Sequence, residues 1–274
     1  MPASKLCRSS RRWLCCVQWL VVCLSFASTP VLADDAPPSG PSAEQVASTA
    51  RQLKIARLNQ AIEQQPAQLN LYSQRGDACF FEGDFEQAFA DYDKMSQLDP
   101  KLVPFNWRRG LALHYLARHK EAAEQFAKYY EFDQSDRENG IWRYYSQLKE
   151  LGEEQARAAL LNYEKPDRPP LPEVYKLCAG EVEPAVIVAM ISADDLTGAA
   201  FEQRQFYGQL YLGMHYVVHD EFAKARPHLE QAVASEWAQS AGYGPNYMWH
   251  VARLQLGLLS KQPAEPPPAT NDDR

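Results

Sequence analysis

Two imidazoles four residues apart, His215 and His219, are the side chains of this 274-residue chain best spaced for chemistry. On a helix that spacing puts both on one face, where they can hold a zinc ion. A zinc site also requires a third ligand and neighbours that orient the others. Asp220, Glu221 and the more distant His228 are the residues available. Such a centre would make the protein a metal-dependent hydrolase. The structural alternative has His215 packed between helices and His219 ending its helix before a turn at Asp220. His114 and His119 lie five apart, which points them in different directions. Carboxylates are plentiful (Asp84, Glu86, Asp91, Asp93, Glu121, Glu124, Glu153, Glu154), but they fall on turns and helix faces where solvated charge is expected. No acid and base can be paired among them. The sequence also lacks a glycine-rich phosphate loop, G-x-S-x-G, H-E-x-x-H and a cysteine pair at metal spacing. We therefore assign no catalytic residue, no metal ligand and no cofactor, and expect a non-catalytic protein.

The elements that carry these residues repeat along the chain. With Leu69 as position 1, Gly76 is position 8, Gly83 position 15, Ala88 position 20, Tyr92 position 24 and Pro100 position 32. Small residues at 8 and 20 let two antiparallel helices approach closely. Tyr72 and Tyr92 fill the seam between them, and the proline ends the second helix. A step of 34 from Gly76 reaches Gly110, with Ala122 and Phe126 at positions 20 and 24. Two further steps of 34 reach Tyr144 and Cys178, and one of 35 reaches Gly213. The copy around Gly213 is the best preserved: Leu212, Gly213, Tyr216, Phe222, Ala225, Leu229 and Ala232. Around Tyr144 the first helix is worn, yet Ala156 and Leu160 keep positions 20 and 24. Around Cys178 only the register survives, with Met190 and Asp194 in those places. A truncated copy with Leu58, Ala61 and Pro66 comes first.

This pattern resembles the tetratricopeptide repeat, W-x₂-L-G-x₂-Y…A-x₃-F…P over 34 residues. Tyr72 stands in for the Trp, while Arg75 and Cys79 depart from the usual Leu and Tyr. The resemblance implies an all-α fold: a solenoid of helix-turn-helix pairs in a right-handed superhelix, about five pairs plus terminal helices. It also implies that positions 2, 5, 9, 12 and 13 of each first helix line the concave surface. In this register Phe80, Phe81, Trp107, Leu111, His114, Tyr115 and Tyr145 then form an aromatic strip with few cations. Such a strip suits a peptide or helix lying in a groove. It equally suits cover by the long N-terminal or C-terminal helix, or by a second subunit, and the sequence leaves both open. Ser73 and Asp77 stand where chaperone-type arrays place the Lys and Asn that clamp a partner's terminal carboxylate, so that subtype is rejected.

Around the array lie segments of other character. Residues 1–33 read as a secretory signal: a basic start (Lys5, Arg8, Arg11, Arg12), an apolar run from Trp13 to Ala27, and Val31-Leu32-Ala33 before Asp34. The run is short for a bilayer span of about 20 residues, so cleavage near Ala33 is expected rather than a retained anchor. Residues 34–42 are a Pro-rich leader, 43–261 the helical array, and 262–274 a Pro-rich disordered tail. Without the signal, 24 basic residues face 35 acidic ones, a net charge of −11 that disfavours nucleic acid. Of six cysteines only Cys79 and Cys178 remain, expected as small buried hydrophobes with no bridge between them. Export and worn central repeats are similar to NlpI-like envelope adaptors, although no lipid-attachment cysteine is present. The expected function is an exported, non-catalytic scaffold for peptide segments or partner proteins, in the periplasm, the cell envelope or outside the cell. A purely structural homo-oligomer is the further alternative.

Overall fold

A computed structural model of the chain describes residues 42–261, which belong to one unit and contain α-helices and no strand. The signal at 1–33, most of the leader and the tail at 262–274 lie outside the described residues. The all-α expectation is met. The first helix, α1 (Ala43–Gln64), opens with a capping box. There Gln45 N–H donates to Ser42 Oγ at 3.2 Å, and Ser42 N–H donates to the Gln45 side chain at 2.6 Å. Only its second half packs inward through Leu58 and Ile62, while Val46 and Leu53 stay exposed.

The strong copies fold as antiparallel pairs: α2 (Leu69–Glu82) with α3 (Phe85–Leu98), and α4 (Trp107–Tyr115) with α5 (His119–Phe132). A 3₁₀ helix, Pro100–Phe105, joins the pairs, with Pro104 inside it. The best copy is α10 (Gly198–Val218) with α11 (Phe222–Val233). One contact recurs in all three. A Cβ on Gly76 would meet the Tyr92 ring at 2.6 Å, one on Gly110 the Phe126 ring at 2.7 Å, and one on Gly213 the Leu229 side chain at 2.7 Å. Position 8 must be small because position 24 of the next helix lies on it. The turns repeat as well: position 15 is left-handed each time, as Gly83 (φ 83°), Ala117 (φ 55°) and Asp220 (φ 62°). Arg75, an oddity in the sequence, pairs with buried Asp91 at 2.6 Å, and Arg109 one copy later reaches Gln125 at 3.2 Å.

The worn copies depart from this geometry. After α6 (Arg137–Leu151) the helix α7 (Glu153–Ala158) lasts only six residues. Leu160, expected at position 24, therefore lies beyond its helix. Tyr163, from the irregular segment that follows, packs on α6 instead, lying where a Cβ on Gly140 would meet it at 2.6 Å. Prolines 166, 169 and 170 then keep the segment after α7 out of helix, and Pro172 sits in the first turn of α8 (Leu171–Ala179). Helix α9 (Pro184–Ile191) follows, with Ile191 against Gly208 of α10. A short α12 (Glu236–Ser240) leads into α13 (Tyr243–Leu259), which packs on both α11 and α2. Cys79 and Cys178 are both buried free thiols, as expected of small core residues.

Candidate binding site

The aromatic strip is not an open groove. Phe80, Leu111 and Tyr145 are fully buried, and Phe81, Trp107, His114 and Tyr115 are half-buried against the core. Over Phe80, Phe81, Trp107 and Tyr115 the cover is α13, the last of the described helices. On α13, Tyr247 packs 5.4 Å from Phe80, 4.9 Å from Phe81 and 4.8 Å from Trp107, between ring centres. His250 stacks on Phe81 at 3.9 Å. Polar bonds seal the edges: Tyr115 Oη donates to Gln255 at 3.1 Å, and Tyr243 Oη donates to Asp77 at 2.8 Å. Arg108 donates to Asp77 at 2.8 Å and to Tyr243 at 2.7 Å. Tyr145 is covered separately by α10, where its hydroxyl donates to the Tyr211 carbonyl at 3.3 Å. The physical reason is that α13 carries its own apolar face (Tyr247, Met248, Val251, Ala252), which must also leave water. Two faces in search of cover satisfy each other.

The histidines are placed as follows. His215 and His219 sit with ring centres 4.3 Å apart at the end of α10. His219 Nδ1 donates to the His215 carbonyl at 2.7 Å, and its Nε2 is 3.7 Å from Glu153. The residues expected as further ligands are engaged elsewhere: Asp220 by Lys149 at 2.9 Å, Glu221 by Lys224, and His228 by Gln209 at 2.8 Å. Among the described residues, no three His, Cys, Asp or Glu side chains gather as a metal site. Burial pushes His215 down to about 4. His114 and His119 do not point apart as expected. The left-handed Ala117 turn folds them together, 5.3 Å between rings, with His114 Nδ1 3.0 Å from Ser146 Oγ.

Beside the covered strip a cavity of about 370 Å³ remains open. Trp107, Trp142, Tyr207 and Trp237 wall it, with Phe126 and Met248 completing the apolar surface. Its polar side comes from the start of α6 and the proline-rich segment: Asp136, Glu138, Asn139 and Arg168, with Gln203 from α10. Asp136 caps α6, accepting from Glu138 N–H at 3.1 Å. That places Glu138 and Asn139 in the first turn. Arg168 closes on Glu138, lies 3.2 Å from Asp167 and 3.6 Å from Asp136, and its guanidinium sits 5.2 Å from the Tyr207 ring centre. Glu138 also accepts from Tyr211 Oη at 2.5 Å, and Tyr211 in turn accepts from Trp142 Nε1 at 3.1 Å. Burial pushes Glu138 up to about 7 against the pull of Arg168, with Asp136 adding to the rise. Asp136 is raised as well, chiefly by burial and in spite of Arg168.

Of the strip residues, only Trp107 reaches this cavity. The carboxylates weighed in the sequence are not among its walls. Asp136 and Glu138 read there as an ordinary helix start, and their ion-pair partner lies about 30 residues further on. No local signal joins them. No protein-family model matches the chain, so function is read from the geometry of the strip and the cavity.

Proposed function

We propose that this protein is an exported, non-catalytic scaffold of tetratricopeptide-like helix pairs, which binds a segment of a partner protein at the cavity beside α13. The repeated contact between positions 8 and 24, with its left-handed turn at position 15, supports the pair-repeat reading and its superhelical arrangement. The observation that carries the binding role is the cavity itself. Its size and its mix of aromatic walls with a few convergent polar groups are those of a recognition pocket. The strip proposed from the sequence contributes through Trp107, the rest being the bed on which α13 lies. Export rests on residues 1–33, and none of the described helices is long and apolar enough to cross a membrane.

Gly244 supplies a clean test, because it borders the cavity and a Cβ there meets nothing within 4 Å. Gly244→Trp should fill the cavity and leave the melting temperature near the parent's. In parallel captures from the envelope fraction of the native cell, a partner should come down with the parent and not with the variant. Equal recovery with both would remove the cavity from the binding role. The exported form should begin at Asp34 by N-terminal sequencing, and a full-length form that needs detergent would argue for an anchor instead.

A further inference from the structure

We infer that the cavity at the start of α6 is a receptor for a cationic nitrogen on an alkyl stem, a lysine-type ammonium or an arginine-type guanidinium. The inference rests on reading the cavity as a binding site, though not on the occupant being part of a protein. The first observation is a buried acceptor without a donor. Asn139 is 5% exposed and lines the cavity, and its Oδ1 has no hydrogen-bond partner among the described residues. Its orientation is set by chemistry: Nδ2 lies 2.9 Å from Asp136 Oδ2, and a carboxylate can only accept there. The amide oxygen is therefore the atom left over, and a buried acceptor left unpaired is expensive.

The second observation is charge. Asp136, Glu138 and Asp167 converge on one guanidinium, Arg168, which donates to Glu138 and Asp167 and lies 3.6 Å from Asp136. Three acids against one base leave the cluster formally negative, which disfavours an anion. Third, Trp107, Trp142 and Trp237 supply aromatic surface that attracts a desolvated cation, as the Tyr207 ring already does for Arg168, and Met248 offers apolar surface for its stem. A neutral apolar ligand would fill the space but leave the Asn139 oxygen and the negative cluster unanswered. A carboxylate or phosphate would meet repulsion. A cation with N–H donors answers both the Asn139 oxygen and the negative cluster.

Glu138 adds a pH signature. The groups facing it are Arg168 and Asp167 from the proline-rich segment, Asp136 at the cap of α6, and Tyr211 and Tyr207 from α10. A bound cation favours the ionised carboxylate, so affinity should rise as pH passes upward through about 7.

The test is a titration of the full mature chain, read by calorimetry and tryptophan fluorescence. The probes are n-butylammonium, agmatine, butyrate, and a capped Gly-Lys-Gly peptide with its acetyl-lysine counterpart. Saturable binding of the amines, none of butyrate, and a loss of about tenfold or more on acetylation are expected. Glu138→Gln, which keeps the side chain's shape, should weaken the amines by about tenfold and flatten the pH dependence. Gln203→Lys, which places a tethered ammonium in the cavity, should abolish binding without lowering the melting temperature. Equal affinity for lysine and acetyl-lysine peptides, or an unaltered affinity in both variants, overturns the inference. So does the absence of any binding, which would mean that water alone satisfies Asn139. Tight binding of the peptide over the free amines identifies a protein as the source of the cation, and the reverse identifies a free amine. Amine binding without a captured partner leaves the inference standing and removes the scaffold reading. A partner lost with Gly244→Trp while amines do not bind does the opposite.

Discussion

Gly110 lies with the ring of Phe126 where its own side chain would be, 2.7 Å from an ideal Cβ. Both belong to the buried seam of α4 and α5, so a leucine at 110 has to push the ring or the helices apart. Gly110→Leu should lower stability by about 1–3 kcal/mol, and more if the helices cannot separate. A thermal melt with an unchanged midpoint would mean that the seam is looser than described. The opposite kind of strain sits seven residues on. Ala117 holds a left-handed backbone where the equivalent residue of the preceding copy is Gly83. Left-handed geometry disfavours a Cβ by about 1–2 kcal/mol, partly offset by the greater freedom of an unfolded glycine. Ala117→Gly should therefore stabilise by several tenths to about 1 kcal/mol, and Gly83→Ala should destabilise by a similar amount. Urea titration of the pair checks both signs, and a loss on Ala117→Gly would contradict the account.

Among the elements, α13 decides what the strip can do. Tyr247 touches Phe80, Phe81 and Trp107, and its hydroxyl meets that of Tyr92 at 3.1 Å in the interior. It thus ties the last helix to the first two pairs across more than 150 residues of sequence. Tyr247→Ala removes a fully buried ring and one of the two hydrogen bonds of the Tyr92 hydroxyl, which keeps Asp77 as acceptor. A loss of about 3–5 kcal/mol is expected. The accompanying sign should be binding of a fluorescent apolar dye, as α13 loosens and the aromatic bed is wetted. If the variant melts like the parent and binds no dye, α13 is not what keeps the strip dry. The same contacts recast Trp107. Its truncation should harm both the packing beneath Tyr247 and the wall of the cavity, so binding and stability should fall together at that residue.

Taken as a whole, the molecule carries buried groups that titrate against each other. Burial holds His114 at about 3, His250 at about 3 and His215 at about 4, with neighbouring cations or imidazoles adding to each. Unfolded histidine titrates near 6.5, so between that value and the folded ones the unfolded chain binds more protons. The stability these residues contribute is complete above about pH 6.5 and is lost on acidification towards about pH 3–4. Glu138 works the other way. Its folded value of about 7 exceeds the unfolded one, so its contribution is complete below about pH 4.5 and is lost as pH rises through 7. Three groups outweigh one, and the melting midpoint should fall from about pH 7 to about pH 4.5. Glu138→Gln, by removing the opposing group, should make that fall steeper. Calorimetry across this range would contradict the assignment if the midpoint held level or if the variant's slope were shallower.

The helical class, the span of α1 and the identity of the seam residues in the strong pairs were legible from the chain alone. They depend on local periodicity: a small residue at position 8 and a large one at 24 imply each other within 16 residues of chain. The wearing-out of the third copy was visible too, but not its remedy, because Tyr163 takes the place of Leu160 only once α7 has ended at Ala158. Tertiary structure alone decided between an open and a covered strip, since the cover is a helix from the far end of the chain. It alone assembled the cavity, bringing the first turn of α6 to Arg168 and to Trp237 beyond α11. Periodicity reports which faces are apolar; which apolar face meets which is settled by the closure of long loops, and no short-range pattern encodes that.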